Sequence, residues 1–153
     1  MSVLDVIEFK SRSAALLPIK PKYVEKILSG EKTVEFRKVE FKENIENIII
    51  YSSSPVMLVV AVCDVVMVVK RSPYTLWKKY RDVGGIEYAE YKDYFKGKDL
   101  GVAIELSNVK VLEHPLLLQD VVDVKSPPQS FMYVDSITVA EVQERIFSEY
   151  CCA

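Results

Sequence analysis

The feature that most constrains the fold is an apolar run at residues 56–69 that consists largely of valine. Branched side chains lose rotamer freedom in a helix and pack well on a pleated sheet, so the run predicts a long strand, bent near Asp64. It is shorter than the roughly 20 residues that a membrane-spanning helix requires. No secretory leader is recognisable at residues 1–10, so we expect a cytoplasmic protein without a membrane segment.

Shorter periodic segments surround this strand. Alternating or apolar patterns predict strands at residues 14–19, 32–37, 45–52, 100–112 and 131–134. Capping residues and apolar stripes predict helices at residues 21–29, 72–83, 86–95 and 135–150. In the last helix, Val139, Val142, Ile146 and Phe147 should face inward.

The order of these segments predicts an α+β fold. Too few helices separate the strands for a doubly wound parallel sheet, so a mostly antiparallel, strongly bent sheet or small barrel fits better. A helix follows the first strand, a helical insert follows the long strand, and a helix ends the chain. With 153 residues, the chain is expected to form one domain, preceded by an arm at residues 1–12.

Charge and metal-binding residue types exclude several classes of function. The net charge of −2 argues against broad coating of a nucleic acid, although residues 70–98 carry eight Lys/Arg against four Asp/Glu. The single histidine, His114, and the three cysteines lack the spacing of a metal site. We therefore expect no metal, no cofactor and no histidine-dependent triad.

The charged segment 32–37 is the strongest candidate site. In a strand, Thr33, Glu35 and Arg37 share one face, while Val34 and Phe36 anchor the other face to the core. Arg37 offers a planar fork of donors for phosphate or carboxylate, and Glu35 can orient that fork, accept a ligand N–H or act as an acid or base. An exposed ion pair worth at most about 1 kcal/mol is the alternative interpretation.

Lysines and two polar loops extend this candidate site. Lys32 and Lys20 can lean over the same cleft as Glu35 and Arg37. Tyr51 and Ser53 precede Pro55 and could supply hydroxyl and backbone donors to a phosphate. Gln129 and Ser130 follow a Pro-Pro pair, a stiff loop that could present Gln129 to a base edge. Both loops could equally be plain turns between strands.

These segments resemble a known family. The sequence Lys20-Pro21-Lys22-Tyr23, followed by Gly30-x-Lys32-x-x-Glu35-x-Arg37, is similar to the opening signature of ASCH domains, a branch of the PUA-like superfamily. The segments 51–55 and 127–131 resemble further motifs of a prokaryotic, largely archaeal subgroup. The resemblance implies a PUA-like small β-barrel, a cleft facing the first motif, and a role in RNA binding or in transcription- or translation-linked regulation.

The resemblance also implies possible catalysis. Some similar proteins are amidohydrolases that act on acetylated cytidine through a lysine, a threonine nucleophile and a glutamate, and others are ribonucleases. Lys32 matches the lysine, but Glu35 occupies the place of the threonine, and the adjacent Thr33 points elsewhere. This departure favours binding over hydrolysis.

Three functions follow as hypotheses. The leading one is an RNA- or nucleotide-binding module in which Arg37 and the lysines hold phosphate while Glu35 and Gln129 read a base. The second is a small hydrolase or ribonuclease with Lys32 or Glu35 as the acid-base residue. The third is a protein-interaction domain that exposes the aromatic side chains of the insert, Trp77, Tyr88 and Tyr91.

Overall fold

The computed structural model describes residues 14–152, with side chains as far as residue 144. The elements, in chain order, are β1 (Ala14–Ile19), α1 (Pro21–Ser29), β2 (Val34–Arg37), β3 (Asn47–Ser52), β4 (Leu58–Arg71), α2 (Pro73–Tyr80), α3 (Tyr88–Tyr94), β5 (Gly101–Leu116), β6 (Met132–Val134) and α4 (Ser136–Cys152). A short 3₁₀ turn at Leu118–Asp120 follows β5. The expected arm at residues 1–12 and the side chains of Ile146 and Phe147 lie outside the described part.

The six strands form one sheet in the order β2-β5-β4-β3-β1-β6. β1 pairs with β3 in parallel and the other four pairs are antiparallel, which confirms an α+β fold with a mostly antiparallel sheet. The expected closed barrel is wrong, because β2 and β6 are the two edges of the sheet. Closure needs continuous pairing around the whole sheet, and edge strands of four and three residues offer little backbone for it.

The long strands β4 and β5 bend this sheet. Their pairing shifts register between Val59 and Ala61, between Val62 and Asp64, and between Val65 and Met67. Each such irregularity kinks a strand and increases its local twist, and the bend expected near Asp64 lies among them. As a result the sheet curls, and the β2 edge comes to lie opposite β1.

Local signals fix the ends of the helices. Pro21 occupies the first turn of α1, and Gly30 ends that helix in the left-handed conformation at φ 87°. The Ser72 side chain accepts a hydrogen bond from the backbone N–H of Thr75 at the start of α2. At the start of α4, the Asp135 carboxylate accepts one from the backbone N–H of Thr138. The helix predicted at 72–83 is shorter in the structure, where α2 spans Pro73–Tyr80. The first residues of the other three helices agree with the predicted ones within about two residues.

Three apolar clusters hold the layers together. One lies between the sheet and α4, where Val139 and Val142 are buried. A second lies under α1, where Val24 and Ile27 are buried. The third joins the helical insert to β2: Val34 and Phe36 pack with the buried side chains of Leu76, Tyr80, Tyr91, Phe95 and Ala103. Val34 and Phe36 therefore anchor β2 to the core, as the alternation of the strand predicted.

Candidate functional site

A cleft lies at the seam where the curled sheet nearly closes. Its volume is about 530 Å³. Arg37 of β2 bridges the seam, because its Nη2 donates to the Pro18 carbonyl of β1 at 2.6 Å and its Nη1 donates to the Ser130 carbonyl at 2.9 Å. One side chain thus connects β2, at one edge of the sheet, to β1 and to the loop before β6, near the other edge. The cleft is bounded by β1, the start of α1, β2, α3 and the loop before β6.

Lys32 lies deep in this cleft and is only 3% exposed. Its Nζ donates to the Gly84 carbonyl at 2.5 Å, lies 3.5 Å from Glu35 Oε1, and sits over the rings of Tyr23 and Phe36 at 5.4 Å each. Burial lowers the pKa of the Lys32 amine more strongly than the neighbouring Glu35 raises it. The cleft therefore holds an amine that loses its proton more readily than an exposed lysine.

Glu35 lies between two cations of the cleft, Lys32 and Arg37, and is 7% exposed. Its Oε2 accepts a hydrogen bond from Arg37 Nε at 3.0 Å and lies 2.9 Å from Nη2, while Oε1 faces Lys32. Together, the hydrogen bonds to Glu35, Pro18 and Ser130 use at least three of the five N–H donors of Arg37. Arg37 is therefore held mainly by the protein, whereas Oε1 of Glu35 is held more loosely, with the Lys32 amine 3.5 Å away.

Aromatic rings form the walls of the cleft. Tyr23 of α1, Phe36 of β2 and Tyr94 of α3 line it, and Lys38 Nζ sits 4.4 Å from the centre of the Tyr94 ring. The Tyr23 hydroxyl is buried close to Glu90 but does not reach hydrogen-bonding geometry with any described residue. Burial, followed by the Glu90 carboxylate, raises the pKa of this hydroxyl. The Tyr23 hydroxyl therefore keeps its proton, while the ring lines the cleft.

The Gly84-Gly85 pair seats Lys32 and Phe36 against the insert. A Cβ on Gly84 would come within 2.7 Å of the Phe36 ring, and a Cβ on Gly85 would come within 2.8 Å of Lys32 Cβ. Gly85 also has a φ of +61°. The pair lets the insert approach the cleft closely enough for the Gly84 carbonyl to accept a hydrogen bond from the Lys32 amine.

The structure brings six of the eight predicted site residues to the cleft: Lys20, Lys32, Glu35, Arg37, Gln129 and Ser130. Tyr51 is 2% exposed and packs in the apolar cluster that includes Val139 and Val142 of α4; it does not line the cleft, although its partner in β1, Pro18, does. Ser53 does not line the cleft either. Its backbone N–H donates to the carbonyl of Ile19, and Ile19 is a lining residue of the cleft. Thr33 is exposed and lies outside the cleft.

Several lining residues were not anticipated from the sequence. They are Tyr23, Phe36, Lys38, Ile86, Glu90, Asp93 and Tyr94. Tyr23 belongs to the Lys20-Pro21-Lys22-Tyr23 segment that carries the family resemblance, so an interpretation of that segment as part of the site could have included it. The contribution of α3 depends on how the insert folds back over β2, which no local pattern predicts.

Within the described residues, no group of three or more His, Cys, Asp or Glu side chains is arranged to hold a metal ion. Among the same residues, no helix is long and apolar enough to cross a membrane.

Comparison with known proteins places the fold in a defined group. Over 131 residues the sequence is 28% identical to an ASCH domain-containing ribonuclease of Zymomonas mobilis, covering 83% of this chain and 88% of that protein. A crystal structure of a single-substitution variant of the Zymomonas mobilis ASCH protein superposes with a TM-score of 0.79 at 25% identity, over 88% of this chain and 97% of that one. The N-terminal domain of Staphylothermus marinus McrB shares the fold alone, with a TM-score of 0.55 at 14% identity over 86% of this chain and 93% of that domain.

A family model described as a domain of unknown function, DUF365, matches residues 13–126. The matched region contains β1 to β5 and most of the cleft, and ends before Gln129 and Ser130. Because the match covers most of the chain, this protein belongs to the DUF365 family, and it is homologous to ASCH domains.

Proposed function

We propose that the cleft binds one nucleotide of a single-stranded RNA. Base and sugar enter between the aromatic walls, and the adjoining phosphates lie at the rim. The observation that carries this proposal is the enclosed donor–acceptor pair of Lys32 and Glu35 beneath the rings of Tyr23, Phe36 and Tyr94. Such a pair suits the polar edge of a base, and aromatic rings suit its faces.

We assign the ligand-binding roles differently from the hypothesis based on sequence, in which Arg37 and the lysines hold phosphate. Arg37 spends most of its donors on Glu35, Pro18 and Ser130, so we assign it to positioning rather than to phosphate binding. Lys20 and Lys38 are exposed at the rim and suit phosphate contacts. Glu35 and Gln129 remain our candidates for reading the base. Tyr51 and Ser53 have no place in this proposal, because neither lines the cleft.

The kinship with a ribonuclease supports RNA as the ligand, since that relative carries RNA cleavage in its name and superposes over most of both chains. The net charge of −2 is compatible with such a ligand only if contacts are few and local. A single-nucleotide cleft with two rim lysines meets that condition.

Titration of a short RNA against Lys20→Ala tests the proposal. Lys20 is exposed, so its loss should leave the fold intact while weakening binding by roughly five- to ten-fold through one lost charge-assisted phosphate contact. Lys110→Ala is the matched control, since Lys110 is also exposed but does not line the cleft. Equal, salt-insensitive binding by wild type and both variants would sink the proposal.

A second function, hydrolysis, is favoured by one specific observation. Lys32 is a buried amine of lowered pKa next to a carboxylate, the combination that a general base requires. The Zymomonas mobilis relative is a ribonuclease by name. We therefore propose RNA cleavage, or deacylation of a modified nucleoside such as acetylated cytidine, as the alternative to binding alone. Among the described residues that line the cleft there is no threonine, so a threonine nucleophile is not part of this alternative.

Turnover assays separate the two functions. Labelled RNA and acetylated cytidine should be incubated with wild type and with Lys32→Met, which keeps the buried stem and removes the amine. Turnover that is lost in Lys32→Met but kept in Lys110→Met would make the protein an enzyme. Binding without turnover in wild type would leave the binding module as the function.

A further inference from the structure

The segment that contains α2 is the most uniformly basic part of the chain. Residues 70–81 include five Lys/Arg and no Asp/Glu, in a protein whose net charge is −2. Lys70 is paired with Glu40 at 2.8 Å. For the other four cations (Arg71, Lys78, Lys79 and Arg81), no ion pair is found within the described part of the chain. A positive region of this kind fits an anionic partner.

Aromatic rings share the same outward surface. Leu76 and Tyr80 are buried, so a turn of about 100° per residue directs Tyr74, Lys78 and Arg81 away from the core. Tyr74 is 70% exposed, and Lys78 Nζ lies 5.3 Å from its ring centre. Tyr88 of α3 is 52% exposed and lies 5.0 Å from the half-buried Trp77. We call this surface the α2 outer face; it comprises Tyr74, Trp77, Lys78, Arg81 and Tyr88.

The α2 outer face adjoins the cleft along α3, because the exposed Tyr88 lies two residues from both Ile86 and Glu90, which line the cleft. Packed rings in the core, including the buried Tyr91, also join the two. Trp77 contacts Tyr91 with ring centres 4.9 Å apart, and Tyr91 contacts Phe36 at the same distance. Phe36 lines the cleft. The insert therefore presents rings to the cleft on one side and rings interleaved with cations to solvent on the other.

We propose that the α2 outer face binds the nucleotides that flank the one in the cleft, in single-stranded form. Bases stack on Tyr74 and Tyr88, and Lys78 and Arg81 contact the phosphates. Rings interleaved with cations are how proteins hold single strands with little sequence preference, because every base has a π-face. This proposal rests on the proposed function of the cleft and adds a second contact surface to it.

The charge and the rings together favour RNA over a protein partner. An acidic peptide would satisfy the cations but would leave the exposed face of Tyr74 without a matching planar group. Competition with polyglutamate separates the two cases. If polyglutamate bound the α2 outer face as tightly as RNA does, the assignment to RNA would be overturned.

Two ligands of different length provide the test. A dinucleotide can fill only the cleft, while a single-stranded RNA of about twelve nucleotides can also cover the α2 outer face. The double variant Lys78→Ala/Arg81→Ala should bind the longer RNA at least ten-fold more weakly and lower its salt slope by about 1.4, since two phosphate contacts are lost. Binding of the dinucleotide should not change. Tyr74→Ala should weaken binding of the longer RNA by at least about five-fold.

The matched control is Lys110→Ala/Lys125→Ala, which removes two exposed lysines that line neither surface. Equal affinity of the Lys78/Arg81 and Lys110/Lys125 double variants for the longer RNA would overturn the proposal, as would a longer RNA that binds no better than the dinucleotide. A different result would show that the cleft itself does not bind a nucleotide. Lys20→Ala would then leave dinucleotide binding unchanged, whatever the α2 variants do.

Discussion

At Lys32, burial and charge act in opposite directions on the pKa of one amine. Desolvation favours the neutral form, Glu35 favours the protonated form, and the positive charges of Arg37 and Lys26 oppose protonation. The net result is a lowered pKa. The unfolded chain therefore holds a proton on Lys32 at pH values where the folded protein has released it.

This difference predicts a pH-dependent stability. Between the lowered pKa of folded Lys32 and its ordinary value of 10.5, the free energy of unfolding should rise with pH, because the unfolded state binds more protons. Below that window the contribution is flat. Urea unfolding of wild type and Lys32→Met from about pH 7 to 10 measures it: the wild-type value should rise relative to that of the variant. Parallel curves would contradict the lowered pKa, and Lys110→Met should follow wild type.

Arg37 should be replaceable by lysine only at a cost in stability. A lysine carries its donors on a single nitrogen and cannot reproduce the planar fork that reaches Glu35, Pro18 and Ser130 together, so it leaves partly buried acceptors without a partner across the seam. We expect Arg37→Lys to lower the free energy of unfolding by about 2 kcal/mol. Arg71→Lys, an exposed arginine that donates to the neighbouring Lys70 carbonyl, should cost much less. Equal losses in denaturant unfolding would show that Arg37 does not brace the seam.

Among the turns of the insert, Gly85 and Gly97 form a matched pair. Both have positive φ, at +61° and +79°, so an added Cβ strains each by about 1 kcal/mol. Only at Gly85 would that Cβ meet another group, the Lys32 side chain at 2.8 Å. Gly85→Ala should therefore destabilise the protein by an additional 1–3 kcal/mol or so, and should also weaken RNA binding by displacing Lys32.

Gly97→Ala isolates the strain from the collision, since nothing lies within 4 Å of its Cβ position. Denaturant unfolding and RNA titration of both variants measure the two effects. If Gly97→Ala weakened RNA binding as much as Gly85→Ala, the close approach of Gly85 to the Lys32 side chain would not matter for RNA binding.

Local signals predicted the elements better than they predicted the topology. Pro21 with Gly30 fixed the ends of α1, and the alternation of β2 correctly assigned Val34 and Phe36 to the core. The closed barrel failed because pairing between distant edges depends on the curl of the whole sheet. The parallel pairing of β1 with β3 was missed for a related reason: α1 and β2 intervene along the chain, and β2 joins the far edge of the sheet.

The candidate site, too, was predictable from local patterns only in part. Glu35 and Arg37 of β2 could be assigned to the cleft because strand alternation gives direction. Gln129 and Ser130 were candidates because they follow a stiff Pro-Pro pair in a segment that resembles a further motif of the same family. Tyr51 shows the limit: its hydroxyl suggested a ligand contact, yet the position alternates into the core beside Leu16 and Ile49. Whether the residues in the cleft bind a ligand stays a prediction that the titrations above address.

For the whole molecule, the question is whether the insert folds with the sheet or as a separate unit. Three kinds of contact join them: Phe36 packs among insert aromatics, Lys32 Nζ donates to Gly84, and the Thr33 backbone N–H donates to Val83 at 2.9 Å. Breaking any of these would expose part of the core of β2. We therefore expect one cooperative unit, in keeping with a single domain.

Trp77 makes this expectation measurable, because it is the only tryptophan of the chain and it lies in the insert. Its fluorescence follows the insert, while far-ultraviolet circular dichroism follows mainly the sheet and the other helices. In urea, the two signals should give the same midpoint and slope. A fluorescence midpoint at lower urea would mean that the insert opens first. The α2 outer face could then be lost while the sheet remains folded, and RNA binding at intermediate urea would fall to the level of the dinucleotide.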